Sequence, residues 1–220
     1  MNILQQVRWL IWKEFTVELN QKFSFSGLIV YVLSNVYICY LVFSDSLSVP
    51  VWNALFWILN SFIALNAVAR SFLVDSQGAL LFQYTLHHPL AVIISKILYN
   101  LALMLTLSLS IFLLFNLLLG SKVQSPGLFV VCIVLGNLGF SCVFSLAAAL
   151  TARAGSSTVL LTVLALPLLF PVLMITVMLS KNSMDGVAAS VFLKNILTLG
   201  ALDLITFVLA LILFPFLWKE

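Results

Sequence analysis

Long apolar blocks alternate with short polar segments along the whole chain. Six blocks are long enough to cross a bilayer as a helix, which takes about 20 mostly apolar residues. None of them alternates with the period of two that the strands of a membrane barrel require. Charges or turn-forming residues bound each block, as at Arg70 and Lys96. The pattern predicts an all-α membrane protein with spans at about 23–43, 51–69, 97–119, 128–150, 159–179 and 196–217.

The segment before the first span, residues 1–22, has a helical pattern of its own. Its apolar stripe consists of Leu4, Val7, Ile11 and Phe15. Arg8 and Glu14 occupy other faces of the same helix. Such a helix lies in the plane of the membrane interface, and Trp9 and Trp12 suit the level of the lipid headgroups. We therefore predict an interfacial amphipathic helix followed by a transmembrane domain over residues 23–220.

Composition agrees with a membrane protein. Of the 220 residues, 63% are hydrophobic and only 8% are charged, whereas about a quarter are charged in soluble domains. So few charges could not cover the surface of a soluble core. The net charge of +3 is too small and too dispersed to indicate binding of nucleic acid.

The placement of lysine and arginine predicts the orientation of the chain. With the N-terminus in the cytoplasm, seven of the ten basic residues fall on the inner side: Arg8, Lys13, Lys22, Arg70, Lys96, Arg153 and Lys219. The outer side receives Lys122, Lys181 and Lys194. Because basic residues concentrate in cytoplasmic loops, we expect both termini to be cytoplasmic.

One polar segment, VDSQGALLFQYTLHHP at 74–89, interrupts the apolar pattern on the predicted cytoplasmic side. Leu81 and Tyr84 can share one face of a short helix, and Gly78 can loosen its beginning. Pro89 either ends this helix or occupies the first turn of the next one. A short helix against the inner face of the membrane is a suitable docking surface for a soluble partner.

The chain lacks the patterns that would make it an enzyme or an ATPase. It contains no G-x-x-x-x-G-K-[ST] phosphate loop and no H-E-x-x-H metal motif. It also has no paired carboxylates and no credible Ser/His/Asp set. Any work it performs must therefore draw energy from a partner protein or from an ion gradient.

Three segments carry a resemblance to a known family. Arg70-x-x-x-x-Asp75-x-x-Gly78, followed by Pro89 and Lys96, resembles the first cytoplasmic loop of the CcmB family. TARAGSSTVLLTVLALPLLFPVLMI is similar to that family's basic, glycine-containing loop and its span with two prolines, and WKEFTVELNQK resembles its N-terminal helix. The chain departs from the family after the loop glycine, where an acidic residue is usual, and at His-Pro, where relatives have Ser-Pro.

The resemblance implies a permease subunit, often called haem exporter protein B, of the ABC transporter for cytochrome c maturation. ATP hydrolysis in a partner would drive haem export or release of the haem-loaded periplasmic chaperone. The implied coupling residues are Arg70, Asp75, Gly78, Leu81, Tyr84, His88 and Pro89.

The same resemblance implies the location and the partners. The chain would be a multi-pass protein of the bacterial cytoplasmic membrane, surrounded by lipid. Its partners would be a CcmA-type ATPase dimer, CcmC- and CcmD-type membrane proteins, a CcmE-type haem chaperone indirectly, and a second permease subunit or a second copy of this chain. ATP would be bound by the ATPase, and haem would be a cargo of the complex.

Three polar or helix-breaking residues inside spans are candidates for a hinge or for the bundle interior. Pro167 and Pro171 interrupt span five, where they form either a static bend or a hinge. Asp203 lies about 10 Å inside span six if that span begins near Ile196. A carboxylate inside a membrane is costly and marks either a polar contact or a functional group. The alternative function is therefore an ion-gradient-driven secondary transporter or channel that uses Asp203.

Two further patterns concern helix packing. Trp52 and Trp57 lie near the outer end of span two, and we expect them to act as interface anchors. Span four carries small residues, among them Gly136 and Gly139, that allow a neighbouring helix to approach closely.

Overall fold

The computed structural model describes residues 3–20, 22–43, 47–73, 88–153, 158–186 and 189–219. Within these ranges the chain forms seven α-helices and no strand. Their bounds are α1 Ile3–Asn20, α2 Lys22–Phe43, α3 Val49–Leu73, α4 Pro89–Leu118, α5 Pro126–Arg153, α6 Thr158–Met184 and α7 Ala189–Lys219.

Helices α2 to α7 are the six that are long and apolar enough to cross a membrane, which confirms the predicted all-α architecture with six spans. All six begin before the predicted spans, four of them by one or two residues and two of them by about two turns. Helix α4 begins at Pro89, eight residues before the predicted third span, and α7 begins at Ala189, seven residues before the predicted sixth. These additional turns contain Lys96 and Lys194, which hydropathy alone had placed at or beyond the span boundaries.

Helix α5 lies at the centre of the bundle, where it contacts α3, α4, α6 and α7. Its span is 61% buried, whereas the span of α7 is 17% buried. The two spans have nearly the same mean hydropathy, 2.3 and 2.5. Lipid and neighbouring helices are equally apolar, so small residues that permit close packing distinguish a central helix from a peripheral one.

Two glycines give α5 its close contacts. A Cβ atom on Gly136 would lie 2.6 Å from Thr176 Cγ2 and 2.9 Å from the indole ring of Trp57. A Cβ atom on Gly139 would lie 2.6 Å from Val172 Cγ1 and would overlap the carboxylate of Asp203. The glycines therefore make room for α3, α6 and α7 at two successive levels of the bundle.

Trp52 and Trp57 are fully buried, so the expectation that they anchor the chain at the membrane interface is wrong. Trp52 stacks on Phe56 with ring centroids 5.8 Å apart and meets Phe115 and Phe129 edge-on. The Nε1–H of Trp57 donates to Ser180 Oγ at 2.8 Å. Edge-to-face aromatic pairs stabilise packing beyond the area they bury, and this cluster joins α3 to α4, α5 and α6.

The glycine contacts predict a difference between two alanine substitutions. Gly136→Ala should destabilise the protein by about 1–3 kcal/mol, because the added methyl group overpacks the contact with Thr176 and Trp57. The matched control is Gly200→Ala, since a Cβ there meets nothing within 4 Å and alanine favours helix. In detergent, Gly136→Ala should melt several degrees below the parent and Gly200→Ala should not. Equal melting temperatures for the two variants would contradict the assignment.

Candidate functional site

The candidate coupling segment joins α3 to α4. Arg70 lies in the last turn of α3, and His88 and Pro89 begin α4. Asp75, Gly78, Leu81 and Tyr84 lie outside the described residues, so the coupling helix itself stays a prediction.

His88 and Pro89 form the N-terminal cap of α4. His88 has an extended backbone (φ −70°, ψ 132°), and its Nδ1 accepts a hydrogen bond from the amide of Leu90 at 3.3 Å. Pro89 occupies the first turn, where its missing N–H costs nothing and its fixed φ suits a helix. Of the two roles that the sequence left open for Pro89, the structure supports the start of the next helix.

Helix α1 packs against the first turns of α4. Val7 and Leu10 are buried in an apolar cluster with residues of α4, including Val92 and Ile97. Farther along α1, Phe15 meets Tyr99 edge-on at a centroid distance of 5.3 Å. The opposite end of the contact is polar, since Gln6 Oε1 accepts a hydrogen bond from the backbone amide of His88 at 3.1 Å. Helix α1 therefore spans three turns of α4, starting at the cap.

A buried ion pair fixes this contact. Lys96 Nζ lies 3.0 Å from Glu14 Oε1, and the two side chains are only 5% and 11% exposed. Lys13 lies farther from the same carboxylate, at 3.8 Å, and is more exposed. We name the contact of α1 with α4 through Gln6, Glu14 and the Val7 and Leu10 side chains the α1 clamp.

The α1 clamp was not predicted from the sequence, which indicated an apolar face of Leu4, Val7, Ile11 and Phe15 toward the membrane and put Glu14 on another face. In the structure Leu4 is 82% exposed, and the packed face is the neighbouring one that carries Val7, Leu10 and Glu14. The spacing of Val7, Leu10 and Glu14, at positions i, i+3 and i+7, was the available signal. Because Glu14 is acidic, this spacing did not stand out as an apolar stripe. The residue that pairs with Glu14, Lys96, is distant in the sequence.

Three polar side chains form a closed network in the middle of the bundle, one each from α3, α4 and α5. Asn137 Nδ2 donates to Ser108 Oγ at 2.8 Å, and Asn60 Nδ2 donates to Asn137 Oδ1 at 3.2 Å. A hydrogen bond from Ser108 Oγ to Asn60 Oδ1 completes the ring. Such bonds satisfy polar groups that hydrocarbon cannot, and each stabilises helix association by about 0.6–2 kcal/mol.

Two more contacts join α4 to α5, nearer to the N-terminal end of α4 than that network. Asn100 Nδ2 donates to Ser145 Oγ at 2.9 Å, and Ser141 Oγ donates to the carbonyl of Ile97 at 2.6 Å. All of these side chains are buried. Polar contacts therefore connect the turn of α4 that carries Lys96 with the central helix.

Asp203 is buried in the bundle, with a relative exposure of 2%. It faces the gap that Gly139 leaves in α5, and neither carboxylate oxygen has a hydrogen-bond partner among the described residues. Because α7 begins at Ala189, Asp203 lies fourteen residues from the start of the helix, about 21 Å along its axis, rather than the predicted 10 Å. The carboxylate is therefore near the midpoint of its helix.

Pro167 and Pro171 lie within α6 and are exposed on the surface of the chain rather than in the bundle interior. Helix α6 continues through both prolines to Met184. Phe170, Met174 and Met178 are exposed beside them. A hinge at this position stays a prediction.

Comparison with known proteins gives one match that covers most of the chain. The family described as CcmB protein matches residues 6–216 of the 220. The matched range contains the α1 clamp, the segment between α3 and α4, and Asp203. No curated protein matches the chain.

The α1 clamp predicts non-additive effects on stability. Lys96→Met and Glu14→Gln should each destabilise the protein, by up to about 3–5 kcal/mol, because each removes one charge of a largely buried ion pair. The double variant should be less destabilised than the sum of the two, as expected for groups in contact. Thermal unfolding in detergent measures all three variants. Lys122→Met, which removes an exposed cation at the other end of α4, is the control. Strictly additive effects would show that the pair contributes no coupling energy.

Proposed function

The chain belongs to the CcmB family, and we propose from this membership that it is the permease subunit of an ABC transporter for cytochrome c maturation. The observation that carries the proposal is the family match over residues 6–216, which includes the polar segment between α3 and α4. The subunit couples ATP hydrolysis by a partner ATPase to haem export or to release of the haem-loaded periplasmic chaperone. The chain itself lacks a phosphate-loop motif, so nucleotide binds to the ATPase.

The coupling step begins where the ATPase docks, at residues 75–88 on the cytoplasmic side. This segment leads directly into the His88 cap, so its displacement moves the first turn of α4. The α1 clamp holds that turn through Gln6 and the following ones through Glu14, which makes α1 and the base of α4 move together. The contacts of Asn100 with Ser145 then carry the movement to α5.

The proposed complex contains a CcmA-type ATPase dimer, CcmC- and CcmD-type membrane proteins and a second permease subunit or a second copy of this chain. Both termini are cytoplasmic in this arrangement, so the α1 clamp and the polar segment face the ATPase side. Seven of the ten basic residues then lie on the inner side, in agreement with the positive-inside rule.

Docking through the polar segment predicts the loss of a complex without the loss of the membrane protein. Asp75→Lys reverses a charge on the proposed docking surface, and Gly78→Pro removes backbone freedom and an N–H donor. Both variants should insert normally, while the amount of ATPase that co-purifies should fall about tenfold or more, as expected when a charge-assisted contact is lost. Asp185→Lys, which changes an exposed acid at the end of α6, is the control and should retain the ATPase. If both loop variants retain it fully, the docking assignment fails.

A second candidate function rests on the buried carboxylate of Asp203. An ion-gradient-driven carrier needs an ionisable group inside the membrane, and the absence of a described hydrogen-bond partner leaves both oxygens of Asp203 able to accept a proton or cation. An ABC permease needs no titrating group there, because nucleotide supplies the energy. The two functions therefore differ in what they require of this residue.

Substitution of Asp203 separates the two functions. Asp203→Asn keeps size and polarity, so an ABC permease should retain near-normal accumulation of holo-cytochrome c in a complemented deletion strain. Asp203→Leu should cause a larger defect, because a branched side chain must fit against Gly139 and Val172. Asp185→Asn controls for an exposed acid. Complete loss of function in Asp203→Asn at normal protein level would favour the ion-coupled carrier.

A further inference from the structure

The outward face of α1 differs from the face that packs on α4. Arg8, Trp9 and Trp12 lie on it, and the two tryptophans are 62% and 63% exposed. The two indole rings meet edge-on with centroids 6.0 Å apart. The opposite face is fully used by the α1 clamp, so these three side chains are not required to hold α1 on the bundle.

These side chains border a cleft of about 840 Å³. Its described lining consists of Gln5, Arg8, Trp9, Ile11, Trp12 and Phe15. Among the described residues, no acidic side chain pairs with the guanidinium of Arg8, and the indole N–H groups of Trp9 and Trp12 donate no hydrogen bond. Among the described residues, the cleft thus combines a cation and two indole donors, which make no such bond, with the apolar side chains of Ile11 and Phe15.

This combination matches the chemistry of a phospholipid. A guanidinium presents paired N–H donors that fit a phosphate, and indole rings favour the boundary between headgroups and acyl chains. Ile11 and Phe15 offer apolar surface for the first part of an acyl chain. The α1 clamp places this face beside the first turns of a membrane-spanning helix, which is the depth of a lipid headgroup.

We propose that Arg8, Trp9 and Trp12 form a binding site for the headgroup of an anionic phospholipid in the inner leaflet. Arg8 favours a lipid headgroup with a net negative charge. A zwitterionic headgroup would bring its own cation close to the guanidinium. The inner leaflet carries the anionic lipids that attract basic residues near a span. The choice of leaflet rests on the proposed function, which sets the cytoplasmic orientation of α1. The preference for an anionic headgroup does not depend on the proposed function.

A lipid at this site acts on coupling through α1. The inner face of α1 holds the base of α4, and the bound lipid holds the outer face at the membrane surface. The site therefore holds the outer face of α1 at the membrane surface, so that displacement of the polar segment moves α4 against an anchored helix. The full transporter should for this reason be more active in membranes that contain anionic lipid.

The test measures lipid retention by the full chain purified without an ATPase. Native mass spectrometry compares bound phosphatidylglycerol with bound phosphatidylcholine of the same acyl chains, offered in equal amounts. The parent should prefer phosphatidylglycerol, and Arg8→Gln should reduce that preference about tenfold, as expected for loss of one charge-assisted contact. Lys194→Gln, which removes an exposed cation from α7, should leave it unchanged. Thermal unfolding of each variant verifies that the fold is intact.

Two further arms identify the ligand and its position. Phosphatidylglycerol with brominated acyl chains should quench tryptophan fluorescence in the parent and much less in Trp9→Phe/Trp12→Phe. Excess inorganic phosphate should not displace the lipid, which separates a headgroup site from a free-phosphate site. Equal retention of phosphatidylglycerol by the parent and Arg8→Gln would overturn the proposal, and so would loss of ATPase co-purification by Arg8→Gln with lipid retention intact. Failure of ATPase docking in the loop variants leaves the lipid measurement unaffected, so the two proposals can fail separately.

Discussion

The ion pair between Glu14 and Lys96 fixes how helix α1 packs on α4, the third span. A lysine within a spanning helix is tolerated when a counter-charge lies beside it, and Glu14 Oε1 lies 3.0 Å from its Nζ. With that charge satisfied, α4 extends past Lys96 to Pro89 and the His88 cap. The pair therefore acts together with the apolar packing of Val7 and Leu10 and the Gln6 hydrogen bond to hold α1 against the first turns of α4.

Polar groups in the middle of the bundle must also find partners within the protein. Hydrocarbon offers no hydrogen bonds, so Asn60, Ser108 and Asn137 satisfy one another and hold three helices at a fixed register. Asp203 differs from them, because its oxygens have no hydrogen-bond partner among the described residues and its carboxylate occupies the space that a side chain at position 139 would fill. A closed network adds rigidity around α5, whereas an unsatisfied carboxylate is the group whose state is most sensitive to its surroundings.

Length and hydropathy were sufficient to predict six spans, because a bilayer sets the length of an apolar helix regardless of its neighbours. They were not sufficient for contacts that depend on distant residues. The contact of Glu14 with Lys96 was not predicted, since the two residues are 82 positions apart and local periodicity allows two overlapping stripes in α1. Trp52 was placed at the interface by its position near a helix end, although aromatic partners on α4 and α5 bury it. Hydropathy began the third span at residue 97, after Lys96, although Pro89 also fitted the first turn of the next helix, where the structure places it.

Helix α1 therefore has two unlike faces with separate tasks. Its inner face is attached to α4 by charge, hydrogen bond and apolar packing, and its outer face leaves Arg8 and two indole rings exposed. A force applied at residues 75–88 can bend α4 only if something nearby resists it, since a free helix would simply follow the loop. A helix whose outer face is held by lipid supplies that resistance, because moving its tryptophans away from the headgroup level is unfavourable. Under the proposed function, α1 is accordingly the fixed point against which the polar segment acts on the bundle.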